Sequence, residues 1–113
     1  MTREETKQRI MEIGIVPVVR AASAKQALLA AEAVCSGGIP IVEVTMTVPG
    51  AVEVIAELAC TAGNEVLIGA GTVLDAEAGR RCLDAGAQFL VSPGFDRETL
   101  ELAHSEGKLI AEP

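Results

Sequence analysis

Five short, β-branched and apolar runs begin near residues 15, 41, 66, 88 and 108, and each of the first four is followed by a helical stretch that stops at glycine. That alternation leaves few folds open. Strands separated by amphipathic helices pair in parallel, because a crossover of helical length returns the chain to the same end of the sheet with right-handed chirality. The expected class is α/β built of parallel βαβ units; in a (β/α)8 barrel, the chain would supply an N-terminal helix and about four and a half βα repeats.

The boundaries follow from capping and turn chemistry. Residues 3 to 13 read as a helix ended by Gly14, and Ile15 to Arg20 as strand one. Ser23 stands as N-cap of a helix over 24 to 36, closed by Gly37-Gly38. Strand two runs from Ile41 to Thr47, and Pro49 suits the first turn of a helix that continues from 51 to 62. Strand three spans 66 to 73, Asp75 caps a helix to Gly86, and strand four covers 88 to 92 before the Pro93-Gly94 turn. Asp96 caps a last helix, and a fifth strand opens at Lys108. A complete barrel takes eight strands on about 250 residues. The expectation is therefore a single domain over 1–113 that forms part of a longer protein.

Strand two carries the chemistry. Within Ile41-Val42-Glu43-Val44-Thr45-Met46-Thr47 a single carboxylate interrupts an apolar, β-branched run. Burying an unpartnered carboxylate costs several kcal/mol, so such a Glu is paired, protonated or employed. Alternation places Ile41, Glu43, Thr45 and Thr47 on one face and Val42, Val44 and Met46 on the other. The first face lines a site; the second packs under helices. Arg20 ends strand one, Gly69-Ala70-Gly71-Thr72 ends strand three and Ser92-Pro93-Gly94 ends strand four, all on the rim where parallel barrels build sites.

Several chemistries fit these residues poorly. Gly69-Ala70-Gly71 lacks the third glycine of a dinucleotide fingerprint and follows the wrong strand. Ser92 has no partner, because His104, the one histidine, falls in the last helix. Lys7, Lys25 and Lys108 map to the first helix, an exposed helix face and the start of strand five, none of them a rim position suited to an amine nucleophile. Nine basic against sixteen acidic residues and only two aromatics, Phe89 and Phe95, argue against nucleic acid. No apolar run reaches membrane-spanning length and the charged start is not a secretion signal. Cys35, Cys60 and Cys82 lack metal-ligand spacing and read as buried, reduced thiols of a cytoplasmic protein.

Val16-Pro17-Val18-Val19-Arg20, Gly37-Gly38 before Ile41-Val42-Glu43-Val44-Thr45, Ile68-Gly69-Ala70-Gly71-Thr72-Val73-Leu74, Asp84-Ala85-Gly86-Ala87-Gln88-Phe89 and Val91-Ser92-Pro93-Gly94 resemble the 2-keto-3-deoxy-6-phosphogluconate (KDPG) aldolases. The match runs from about residue 10 to the end and keeps order and spacing. The 2-keto-3-deoxy-6-phosphogalactonate aldolases share Gly69 to Val73, while Glu43-Val44-Thr45 favours the gluconate branch and the related 4-hydroxy-2-oxoglutarate activity.

The resemblance implies a trimeric (β/α)8 barrel and a cytoplasmic class I aldolase of the Entner-Doudoroff pathway, with no metal or other cofactor, that cleaves a phosphorylated 2-keto-3-deoxy sugar acid to pyruvate and glyceraldehyde 3-phosphate. It implies that Glu43 is the general acid/base, that Arg20 and Thr72 hold the pyruvyl carboxylate, that Thr45 contacts substrate, that Gly71 gives room, and that Pro93 shapes the pocket floor. Some members carry Arg where this chain has Thr47. The family's Schiff-base lysine lies on strand six and its phosphate loops on strands seven and eight, none of which this sequence contains, so the chain alone is expected to be inactive. A non-catalytic half-barrel that assembles through its open edges, and a phosphate-binding or isomerase barrel of another family, are the alternatives.

Overall fold

Each helix begins where a short side chain can accept hydrogen bonds from the backbone N–H groups that the first turn leaves free. In the computed structural model, which describes residues 1–112, Thr2 caps α1 (Arg3–Ile13), Ser23 caps α2 (Ala24–Ser36), Asp75 caps α4 (Ala76–Ala85) and Asp96 caps α5 (Arg97–Ser105). The fifth helix, α3 (Ala51–Ala62), starts after Gly50 in a left-handed conformation and has no side-chain cap, so Pro49 lies before the helix and not in its first turn.

Between the helices run β1 (Val18–Val19), β2 (Ile41–Thr45), β3 (Leu67–Gly71), β4 (Phe89–Val91) and β5 (Leu109–Ala111). They form one parallel sheet in the order β1-β2-β3-β4-β5, with every connection a right-length helical crossover. Register is continuous: Val18 pairs with Glu43, Glu43 with Gly69, Gly69 with Phe89 and Phe89 with Leu109. The alternation expected along the sequence is therefore correct, and the chain has the parallel α/β arrangement of a barrel half.

Strand three, expected over 66–73, spans only Leu67–Gly71, because Thr72 turns the chain out of the sheet, and strands one and two are also shorter than expected. Strand one shrinks from the expected 15–20 to two residues, because Pro17 has no N–H to add to the ladder and the strand has a neighbour on one side only. Strand two stops at Thr45, so Met46 and Thr47 lie in the turn that follows it.

The alternation along each strand sorts the core into two layers. Val42, Val44, Ile68, Ala70 and Leu90 face the helices and pack with Ala27, Ala31, Val54, Ile55 and Leu58. Ile41, Leu67 and Phe89 face the other way, where Ile10, Ile13, Val16 and Leu109 cover them. Full burial of each such aliphatic side chain is worth about 1.5–3 kcal/mol. The second layer sits toward the N-terminal ends of the strands. There Arg9 of α1 donates to the carbonyls of Asn64 and Glu65, fixing the helix to the entrance of β3. The opposite ends of the strands are left free of this apolar layer.

Gly69 is where β3 makes room for the inner layer, since the ring of Phe89 occupies the space a Cβ at that position would take. Gly69→Ala should lower the unfolding free energy by about 1–3 kcal/mol, as overpacking does in a filled core. Adding Phe89→Leu should recover part of the loss in urea denaturation; an unchanged midpoint for Gly69→Ala would contradict the packing described.

Candidate active site

At the C-terminal end of the sheet the inner face turns polar, and Glu43 is its centre. The side chain is 8% exposed although it projects from a strand flanked by β1 and β3. What admits it is the missing side chain opposite: a Cβ on Gly71 would fall on the Glu43 carboxylate. Burial pushes the Glu43 carboxyl above its ordinary value near 4.5, and the positive charge of Arg20 opposes that rise without cancelling it.

Arg20 follows β1 directly, which places it level with Thr45 in the β1–β2 register. It is exposed and forms no ion pair within 4.0 Å of Glu43; the ion pairs of the described residues join Arg80 to Asp84 and Glu106, and Arg97 to Glu101. The two groups are near enough to feel each other's charge, yet the guanidinium is not committed.

Thr72 is the least ordinary residue of the rim. Its φ of 56° puts a β-branched side chain in the left-handed region, and among the described residues no other non-glycine shares that conformation. Such a backbone costs about 1–3 kcal/mol and persists only where neighbours enforce it. They do so on both sides: Met46 N–H donates to the Gly71 carbonyl at 2.9 Å, and Val73 N–H donates to the Val91 carbonyl at 3.1 Å. Thr72 is thereby turned out of β3 beside Gly71 and Glu43, half-buried.

Thr45 is 1% exposed, with its hydroxyl 2.7 Å from that of Thr47 and 3.5 Å from the Val19 carbonyl. Pro93 stands exposed at the end of β4, two strands from β2 and hence about 10 Å across the sheet. The Ser92 hydroxyl donates to the Gly94 carbonyl at 2.6 Å, so it serves the turn. Glu43, Arg20, Thr45, Gly71 and Thr72 are thus gathered on three adjacent strand ends, whereas Pro93 is set apart from them.

The remaining titratable groups lie elsewhere. Lys7 and Lys25 are exposed on α1 and α2, and Lys108 precedes β5, at the far end of the sheet from the rim. His104 is exposed in the last turn of α5. The cysteines depart from expectation, for only Cys82 is buried while Cys35 is half-buried and Cys60 exposed. Burial raises the Cys82 thiol to about 11, and it lies 3.3 Å from the Met46 sulfur. One surface concavity borders Glu4, Gln8 and Glu12 of α1, and another lies between the C-terminal ends of α2 and α3; neither includes a rim residue.

Two features of the site were not read in the sequence. No residue pattern announces a left-handed threonine, although the glycines before it do mark close approach. The Thr45–Thr47 contact depends on a turn starting at Met46, with strand two ending two residues before its expected end at Thr47.

A carboxyl with raised proton affinity, next to an uncommitted guanidinium and a strained hydroxyl-bearing turn, can bind a small anion and exchange protons with it. Comparison with known proteins adds to this geometry. The profile of the KDPG and KHG aldolase family matches residues 6–111. A 2-dehydro-3-deoxy-phosphogluconate aldolase of Treponema pallidum (strain Nichols) is 39% identical over 89 residues, which cover 79% of this chain and 42% of that protein. The KHG/KDPG aldolase of Escherichia coli (strain K12) is 36% identical over 95 residues, covering 84% and 44%.

Among solved structures, KDPG aldolase from Legionella pneumophila, with pyruvate captured as a covalent carbinolamine, superposes with a TM-score of 0.77 at 36% identity, over 86% of this chain and 47% of that one. The aldolase of Zymomonas mobilis ATCC 29191 gives 0.80 at 30% identity, over 93% and 50%. The chain spans less than half the length of these curated relatives.

The raised Glu43 carboxyl has a definite consequence for stability. The folded chain holds this proton more tightly than the unfolded chain, so stability falls as pH rises from the unfolded value near 4.5 through the folded one. Above that window the buried charge is a standing cost. Glu43→Gln should therefore melt higher than the wild type at pH 7, and the difference should vanish below pH 4; a lower melting temperature at pH 7 would mean that the carboxylate is stabilised by its surroundings.

Proposed function

The chain belongs to the KDPG and KHG aldolase family, and on that premise we propose that it supplies the acid/base half of a class I aldolase site, which cleaves 2-keto-3-deoxy-6-phosphogluconate to pyruvate and glyceraldehyde 3-phosphate, with 4-hydroxy-2-oxoglutarate as a related substrate. The observation that carries this is the Glu43 carboxyl, desolvated against Gly71 with Arg20 beside it but unpaired. In a class I aldolase an amine adds to the substrate ketone, water leaves the carbinolamine, and the iminium accepts the electrons of the breaking carbon–carbon bond.

Every stage moves a proton, and one group must both give and take. Glu43 fits that part because burial raises its proton affinity above that of an ordinary carboxylate. It removes the hydroxyl proton of the carbon that becomes the aldehyde, and it returns a proton as the carbinolamine loses water. Arg20 and Thr72 hold the carboxylate of the 2-oxo acid, Gly71 leaves the space in which Glu43 and substrate meet, and Pro93 borders the pocket from β4. None of Lys7, Lys25 and Lys108 stands on a strand beside Glu43, so none of the three is taken as the amine. The same membership is our ground for a homotrimer of complete barrels in the cytoplasm.

Incubation of the 113-residue chain with pyruvate and borohydride should leave its intact mass unchanged. An adduct mapped to any of its three lysines would overturn the placement of the amine. Pyruvate should nevertheless raise the melting temperature, and protection by phosphate but not pyruvate would sink the aldolase assignment. In a chain that includes the amine, Glu43→Gln should lower kcat by a factor on the order of 10² or more. Turnover at the wild-type rate would remove Glu43 from the mechanism.

A further inference from the structure

The sheet has two outer strands, and their free edges differ. β1 is two residues long and follows Pro17, so its edge offers few backbone groups to another chain. β5 has a neighbour on one side only, β4. Ser92 N–H donates to the Ala111 carbonyl at 3.0 Å, which turns the polar backbone groups of Ala111 toward β4. Successive residues of a strand point theirs to opposite edges, so the N–H and carbonyl of Ile110 face outward.

Charge is arranged symmetrically about that residue. Lys108 stands two residues before Ile110 and Glu112 two after, and strand parity puts all three side chains on the helix-facing side, where Ile110 packs against the outer layer. Neither charged group belongs to an ion pair among the described residues, and both carboxylate oxygens of Glu112 are buried without a hydrogen bond. Such a carboxylate calls for a cation or a donor.

We propose that the 113-residue chain pairs with a second copy of itself, β5 against β5, antiparallel about a twofold axis through Ile110. The two copies of Ile110 then exchange N–H···O bonds, and each Lys108 stands directly opposite Glu112 of the second copy, about 5.5 Å away between Cα atoms. A register displaced by two residues breaks both charge pairs, and in-register parallel pairing sets like charges side by side. The twofold arrangement is closed, so association stops at two copies. The pairing goes beyond the aldolase reading and does not rest on it; in a complete barrel the next strand would take this edge.

Sedimentation velocity of the 113-residue chain at rising concentration should show monomer and dimer with no larger species, and the Ile110 amide should become protected from hydrogen exchange as the dimer forms. Lys108→Glu sets carboxylates opposite each other twice and should weaken the dimer about tenfold, and Glu112→Lys should do the same with ammonium groups. The double variant exchanges the charges and should return to within about threefold of the wild type. Should Glu112→Lys fail to fold, as melting would show, Lys108→Glu and Ile110→Pro decide; the proline removes an N–H that β4 does not use and should abolish the dimer.

A monomer at every concentration, an open-ended polymer, a dimer that Lys108→Glu leaves unchanged, or a folded double variant no better than the single ones would overturn the pairing. Protection by pyruvate reports on the Glu43 rim and is measured apart. A monomer that pyruvate protects leaves the aldolase reading standing, whereas a dimer that pyruvate does not protect sinks that reading alone.

Discussion

A carboxylate is hard to keep inside a sheet of aliphatic side chains, and the rim of this one is arranged around that difficulty. Glu43 could escape burial only by leaving the inner face, which the strand register with Val18 and Gly69 forbids. Gly71 supplies the needed volume by omission, for any side chain there would meet the carboxylate. The glycine does not relieve the charge; it merely makes the position possible. Desolvation remains, and it raises the proton affinity of the group.

The left-handed turn at Thr72 comes directly after the glycine that makes room for Glu43. Extended backbone after Gly71 would carry β3 onward past the rim; instead the chain turns sharply into the segment before α4. The strain is offset by backbone bonds to the turn after β2 and to β4, so neighbouring strands hold the conformation in place. Strain at one end is compatible with a firm scaffold at the other. The N-terminal ends of the strands are closed by α1, by Ile41, Leu67 and Phe89, and by the Arg9 bonds to the entrance of β3. The apolar closure and the polar rim thus occupy opposite ends of the same strands, the division that parallel barrels generally show.

Much of this was legible in the residues because it depends on local rules. The caps at Ser23, Asp75 and Asp96, the two-faced pattern of β2 and the glycine stops each follow from backbone chemistry that operates within a few residues. The exposed Cys60 and the shortened β1 were not legible, since both depend on what packs alongside. Thr72 is the clearest case. Nothing in Gly71-Thr72-Val73 requires a positive φ, and the backbone partners that hold it are distant in sequence, Met46 after β2 and Val91 on β4. The role of Pro93 rests on resemblance alone, because its place two strands from β2 supplies no contact with Glu43.

The looseness of the Glu43–Arg20 relationship is what leaves the proton affinity of Glu43 above that of an ordinary carboxylate. At 4 Å, two opposite charges near a protein surface attract by about 4 kcal/mol, comparable to the several kcal/mol that desolvation exacts from a buried ion. A close pair would therefore hold Glu43 ionised and occupy Arg20 as well. With the guanidinium farther off and exposed, desolvation prevails and the cation keeps its donors for a ligand. An arriving carboxylate would then draw the positive charge of Arg20 toward itself and weaken its pull on Glu43. The proton affinity of Glu43 would rise further on binding of such an anion.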